Sequence, residues 1–171
     1  MKRILFFGGL LALCLSVAAK DLFAADEETV KTAYLYNFAK FVQWPDEQRP
    51  TLRLCVVGDN VLGKALDSLI GKPVRNMQID VRHAIVLQDI PQCDLVFLPA
   101  GQARSLERVR QIVNGYPILI VAESTDALPK GAIVAMIQRD NRIVFEVDLT
   151  TARHLGLQVS AKLLQLARKV Y

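Results

Sequence analysis

The chain has 171 residues, of which 52% are hydrophobic and 22% are charged, and its formal net charge is +4. Acidic and basic residues are interleaved, which argues against a nucleic-acid-binding stripe and a polybasic membrane patch. There is no internal repeat or low-complexity tract. We therefore expect a folded globular protein with no nucleic-acid partner.

The first 24 residues have the order of a secretory signal peptide. Lys2 and Arg3 form a positive start, residues 4–19 are mostly apolar, and small residues follow at 24–25. The apolar run is short for a membrane span. This pattern predicts export to the bacterial periplasm.

Cleavage after Ala19 and cleavage after Ala24 both fit the pattern, and we favour the second. An uncleaved anchor is the alternative. Removal of residues 1–24 leaves residues 25–171, a length typical of one domain that can bury its own core. We expect those residues to form a single domain.

Hydrophobic periodicity predicts strands and helices that alternate through the first two thirds of the chain. The predicted elements are a helix over 28–42, a strand over 52–57, a helix over 61–70, strands over 77–82 and 95–98, a helix over 105–113 and a strand over 117–122. Trp44-Pro45 ends the first helix, because a residue before proline avoids the helical conformation.

A hairpin is predicted next, with strands over 132–138 and 142–148 joined by a turn whose Asp and Asn tolerate positive φ. Alternation places Glu146 and Asp148 on its solvent face. A short helix over 150–155 and a final helix capped by Ser160 complete the chain. The pattern predicts an α/β sandwich with a mostly parallel central sheet, an antiparallel C-terminal hairpin and flanking helices.

Two cysteines, Cys55 and Cys93, remain after the leader. An even pair in an oxidising compartment favours a disulfide. Two buried free thiols are the alternative at this point.

Residues 58–65 match the spacing of a phosphate-binding loop, with a strand before and a helix after. The match fails at Ala65, which has no hydroxyl group to hold magnesium. We interpret the segment as a strand-to-helix turn with Asp59 or Asn60 as the helix N-cap. Binding of a small anion at the helix N-terminus stays open.

Ligands of open parallel sheets bind beyond the carboxyl ends of the strands. Gly58, Asp59 and Asn60 follow one such strand, and residues 99–101 follow another. Gly58, Asp59 and Asn60 are therefore the candidates for a ligand cleft.

The sequence offers no recognisable catalytic or metal-binding arrangement. The two histidines, His83 and His154, have no partner at metal-ligand spacing, and there is no nucleophile elbow. We expect no enzyme activity, no metal and no cofactor. An enzyme of unrecognised type is the remaining alternative, since catalytic groups assemble across distance.

The first predicted helix carries a dense run of aromatic residues. Core packing explains most of them, but Tyr36 lies off the main apolar stripe and Trp44 lies at the helix exit. Exposed aromatic side chains suit a binding surface. The partner-binding candidates, including two residues near the C-terminus, are Tyr36, Phe41, Trp44, Leu155 and Leu157.

Residues 33–45, which read AYLYNFAKFVQWP, resemble the opening signature of the YfiR family of periplasmic proteins. Further segments resemble that family in order along the chain. They are LCVVGD at 54–59, CDLVF at 93–97, RIVFEVDL at 142–149, and GLQVS with LLQLA within 156–167.

The resemblance implies a regulator without catalysis. Members of the family repress an inner-membrane diguanylate cyclase from the periplasmic side, which lowers cyclic diguanylate and biofilm formation. An outer-membrane, peptidoglycan-associated lipoprotein relieves this repression, and members form dimers. The resemblance also implies that Cys55 and Cys93 are a bridged pair. A second disulfide of some members is not possible here. The alternative function is a periplasmic small-ligand sensor that acts on another membrane signalling partner.

Overall fold

The computed structural model describes residues 15–46, 48–59, 61–140 and 142–171. The helices are α1 Leu15–Phe41, α2 Gly63–Asp67, α3 Leu106–Ile112, α4 Leu149–His154 and α5 Ala161–Leu166. The strands are β1 Val42–Gln43, β2 Thr51–Val57, β3 Pro73–Val74, β4 Met77–Ile85, β5 Leu95–Leu98, β6 Leu119–Glu123, β7 Val134–Arg139, β8 Arg142–Val147, β9 Gln158–Val159 and β10 Lys169–Val170. Short 3-10 helices span Leu87–Gln92 and Ala100–Ser105.

The main sheet has the strand order β10-β8-β7-β6-β5-β2-β4-β3. The neighbours from β4 to β7 are parallel, whereas β7 and β8 form an antiparallel hairpin with Met136 opposite Phe145. The predicted fold class is confirmed. Along the chain, β4 is added on one side of β2, and β5, β6 and β7 then follow on its other side. This is a doubly wound order, and the switch point of the sheet lies between β2 and β5.

Side chains of the parallel strands alternate between two buried layers, as the two-residue period of a strand requires. In β2, Leu54 and Val56 pack on one side of the sheet, and Cys55 and Val57 pack on the other. The first layer also contains buried residues of α1, α2, α4 and α5, and we call it the α1 face. The second contains buried residues of α3, and we call it the α3 face.

The lengths of some helices differ from the sequence prediction. α1 begins at Leu15, so the predicted cleavage sites lie within it, and residues 1–14 of the predicted signal peptide lie outside the described residues. α2 is shorter than predicted, because the Ser68 hydroxyl donates to the Ala65 carbonyl and the chain then turns at Gly71, which has φ +73°. Within the described residues, no helix is long and apolar enough to cross a bilayer.

The C-terminal segment ends in a strand that periodicity missed. The Ser160 hydroxyl caps α5 as predicted, and the chain then continues into β10 beside β8. There Arg168 contacts the Glu146 carboxylate, and the Tyr171 hydroxyl lies 3.1 Å from it. Glu146 is therefore only 4% exposed, and the prediction that it faces solvent is wrong, because β10 covers that side of the hairpin.

Candidate functional site

The two cysteines form a disulfide on the α3 face. Cys55 lies in β2, Cys93 precedes β5, and their Cα atoms are 6.1 Å apart. Both residues are buried. The predicted pair is confirmed, and the bridge ties β2 to the turn that leads into its neighbour β5.

At the predicted ligand cleft, the Gln102 side chain lies directly against Gly58. Gly58 follows β2 with φ +76°, and a Cβ atom there would come within 2.3 Å of the Gln102 side-chain nitrogen. Asp59 is exposed, and Asn60 lies outside the described residues. The N-cap of α2 is Leu62, which has no side-chain hydrogen bond, so the prediction that α2 is capped further upstream is wrong.

Helix α1 also reaches this carboxyl edge of the sheet. The Lys31 ammonium lies 2.6 Å from the carboxylates of both Glu27 and Glu123, and Glu123 ends β6. Burial lowers the pKa of Lys31, but hydrogen bonds and charge attraction from the two carboxylates outweigh it and leave the pKa raised. The Ala100 amide also donates to Glu123 over 3.4 Å. An ion pair thus crosses the edge where a ligand was predicted.

Two of the partner-binding candidates are core residues. Trp44 is 3% exposed and Leu157 is 1% exposed. The Trp44 indole donates to the Asp94 carbonyl over 3.1 Å, and the buried Asp94 carboxylate accepts from the Arg53 amide. The expectation of an exposed Trp44 is wrong, because the chain after α1 folds back into the α1 face. Neither side chain is presented to a partner in this conformation.

Tyr36 and Phe41 are half-buried near the end of α1, where they pack against the core of the α1 face and lie within a group of cations. Lys40 lies 5.4 Å from the Tyr36 ring centre and 5.8 Å from that of Phe41. Lys72 lies 5.4 Å from Tyr36, and Lys162 lies 5.4 Å from Phe41. These distances are those of cation–π contacts. We call this surface the cation–aromatic face, and it consists of Tyr36, Lys40, Phe41, Lys72, Arg75 and Lys162.

A groove of about 370 Å³ opens on this face beside the β1–β9 pair. Its lining residues are Lys40, Phe41, Gln43, Arg75, Gln158, Val159 and Ser160. The Arg75 guanidinium donates to the Lys40 and Val42 carbonyls, over 3.1 and 2.9 Å. This contact anchors the segment after β3 against the end of α1.

Sequence reasoning found the two aromatic residues but missed the cations around them. Lys72 and Arg75 follow α2, and Lys162 lies in α5, more than a hundred residues after Lys40. Local periodicity carries no signal for a cluster drawn from such distant segments. Only packing of those segments around the end of α1 brings the charges together.

Leu155, the remaining interface candidate, belongs to a different place. It is half-buried and lines a cavity of about 880 Å³ between α3 and α4, together with Arg110, Asp148 and His154. Asp148 caps α4, since its carboxylate accepts from the Thr151 amide over 2.8 Å. The structure therefore does not bring the predicted interface residues together into one surface.

The two histidines lie apart in the structure. His83 lies 2.6 Å from Asp67, and His154 lies at the separate cavity. Among the described residues, no group of three or more His, Cys, Asp and Glu side chains is placed to hold a metal ion.

The fold and its two buried layers define a doubly wound α/β protein with one cross-linked face. Residues 28–168 match the model of the YfiR/HmsC-like family, and the chain belongs to that family. The resemblance inferred from the sequence segments is thereby confirmed.

Solved structures with a similar fold come from distant proteins. A domain from Streptococcus pneumonia in complex with L-Trp has a TM-score of 0.50 and 8% identity, over 70% of this chain and 55% of that one. A conserved domain protein from Vibrio cholerae has a TM-score of 0.48 and 12% identity, over 70% and 54%. An open, ligand-free substrate-binding protein with adhesive properties from Clostridium difficile has a TM-score of 0.48 and 13% identity, over 70% and 54%. The chain spans about half the length of these structures, and the likeness concerns the fold alone.

Proposed function

We propose that this chain is a periplasmic regulator that binds the periplasmic part of an inner-membrane diguanylate cyclase and holds it inactive. The observation that carries the proposal is the family match over residues 28–168, since the family's regulators act in this way. In this proposal residues 1–24 are a removed signal peptide, and residues 25–171 form a single domain that acts by binding, without catalysis. The regulator works as a homodimer, and an outer-membrane, peptidoglycan-associated lipoprotein sequesters it.

A regulator of this kind shifts its target only if it binds the inactive conformation more tightly than the active one. A change from mostly active to mostly inactive requires roughly 5 kcal/mol of differential affinity. A protein interface of standard size supplies that amount. The cation–aromatic face supports the proposal, because tyrosine and arginine side chains are usual anchors of such interfaces.

The first test is intracellular cyclic diguanylate in the native bacterium, with and without the protein. We expect deletion to raise cyclic diguanylate and a wild-type copy to reverse the rise. Unchanged levels under both oxidising and reducing growth would contradict repression of a cyclase.

A second test asks whether the cation–aromatic face is used. Tyr36→Ala removes a half-buried ring of that face, and Tyr116→Ala is the matched control, since Tyr116 is exposed beyond α3. We expect only Tyr36→Ala to lose repression, with a small fall in its melting temperature, because the Tyr36 ring packs against the core and its hydroxyl donates to the Pro73 carbonyl over 3.4 Å. Lost stability with repression intact would show that Tyr36 acts in folding and not in the interface.

The cavity of about 880 Å³ supports a second candidate function, a small-ligand sensor. Its lining combines the cationic Arg110 and the polar Asn114 with the apolar Leu128 and Leu155. A ligand that binds only the folded protein raises its melting temperature. Screening metabolites for such a rise, with Arg110→Ala as the comparison, tests this function.

A further inference from the structure

We propose that the cation–aromatic face binds an acidic segment of the partner protein, with carboxylates at its lysines and an apolar side chain against Phe41. The identity of the partner rests on the proposed function, but the chemistry of the face does not. Its three lysines lie over two aromatic rings near the end of α1, and Arg75 lines the groove beside them. Such a surface complements negative charge next to an apolar group.

Some cations elsewhere in the described part of the protein sit beside carboxylates. Lys31 contacts Glu123, Lys130 contacts Asp126, and Arg168 contacts Glu146. By contrast, within the described part of the chain no carboxylate forms an ion pair with Lys40, Lys72 or Lys162. These three lysines are exposed and contact aromatic rings instead. The three lysines of the face thus carry positive charge that no carboxylate of the described residues pairs with.

The shape of the face favours a polypeptide segment over a lipid surface. The groove is concave, has a volume of about 370 Å³, and runs beside the β1–β9 pair. A bilayer presents a broad surface that cannot enter such a groove, whereas an extended strand of a few residues can. Gln43 and Gln158 at its rim are exposed and can bond to the backbone of an entering segment.

The test in cells reverses the charge of the face. Lys40→Glu combined with Lys162→Glu places two carboxylates in it, and the control Arg108→Glu reverses a single charge on exposed α3, behind the opposite face of the sheet. We expect the double variant to lose repression and Arg108→Glu to keep it. Full repression by the double variant, in a strain where the wild-type copy represses, overturns this inference and leaves the proposed function standing.

The test in solution separates the two proposals, because it needs no partner. The purified full chain is titrated with a labelled hexaglutamate peptide, with hexaglutamine as its uncharged counterpart, and melting temperatures verify that each variant is folded. Reversal of two charges is expected to weaken hexaglutamate binding about tenfold or more, and Arg108→Glu to leave it unchanged. No binding, or equal loss in both variants, overturns the inference. Binding in a protein that does not repress in cells defeats only the proposed function.

Two further measurements identify other occupants of the face. If vesicles with phosphatidylglycerol bind in place of the peptide, and the double variant abolishes this, the face contacts lipid and the inference is overturned.

Sedimentation of wild type and double variant gives the oligomeric state. A dimer that the double variant dissociates identifies a second copy of this chain as the occupant, which also overturns it. Lys72→Gln, which removes a charge without reversing it, serves if the double variant does not fold.

Discussion

The two faces of the central sheet are built from the same strands but are held together differently. On the α1 face the buried layer contains large aromatic rings. The ring centres of Phe38 and Phe145 are 5.2 Å apart in an edge-to-face arrangement, and those of Tyr34 and Phe145 are 5.8 Å apart. On the α3 face the layer contains mostly aliphatic residues and alanines, together with the Cys55–Cys93 bridge. Packing dominates one side, and a covalent crosslink supplements the other.

The difference follows from the helices that cover each face. In the α1 face, α1 buries Leu35, Phe38 and Ala39, and α2, α4 and α5 add further buried residues, whereas the seven-residue α3 buries only Leu106 and Val109 on its face. A short helix contributes few side chains to bury, so it gains less from the hydrophobic effect. A disulfide stabilises by another route, since it reduces the conformational freedom of the unfolded chain. The comparison predicts that truncation of a buried side chain costs most on the α1 face.

The largest expected effect on stability is that of truncating Phe38, which packs with Tyr34 and Phe145. Phe38 is fully buried, so Phe38→Ala should lower the free energy of unfolding by about 4 kcal/mol. Urea denaturation measures this loss. Val30→Ala, at a 37% exposed position of the same helix, is the control and should change little. Similar losses in the two variants would contradict the view that packing by α1 dominates this face.

Loss of the disulfide is expected to have the next largest effect. The bridge closes a sequence separation of 38 residues, and the double variant Cys55→Ser, Cys93→Ser should lose about 3–4 kcal/mol in the chain-entropy model. The same denaturation experiment, with and without dithiothreitol, measures the loss. Dithiothreitol should destabilise the wild type and leave the variant unchanged. A double variant as stable as the oxidised wild type would show that the α3 face does not need its crosslink.

A smaller effect is expected where the two faces are joined. The Trp44 indole, packed in the α1 face, donates to the backbone of Asp94, the residue next to Cys93. Trp44→Phe keeps most of the apolar contact but removes the donor, which should cost about 1–2 kcal/mol. Thermal unfolding measures it. If Trp44→Phe is neutral, ring packing alone holds the segment after α1.

The smallest expected effect concerns the ion pair at the carboxyl edge. Because the pKa of Lys31 is raised in the folded protein, its charge stabilises the fold below about pH 10, and the contribution is lost as pH rises through the folded pKa. We compare wild type with Lys31→Met by denaturation from pH 7 to pH 11. The two stability curves should converge above about pH 10. A constant separation would mean that Lys31 acts through packing of its stem.

Much of the fold was predictable because it depends on local patterns. Strand β5 has the predicted bounds, the hairpin turns at Asp140 with φ +48°, and Ser160 caps α5. β10 was missed, because two residues carry no measurable period. The candidate site was predicted less well. Of the five candidates, Tyr36 and Phe41 are half-buried, Trp44 and Leu157 are buried, and Leu155 lies at another cavity.

The sequence alone therefore determined the order of elements, the two-residue alternation that builds both buried layers, the cysteine pair and the family. These depend on short segments, in which the spacing of apolar residues or a motif is complete. Only the tertiary structure decided which surface residues become core and which charges meet. Glu146 is buried because β10 lies beside it, and Lys162 joins Lys40 because α5 packs near the end of α1. Such contacts join segments that are distant along the chain, and local spacing carries no information about them.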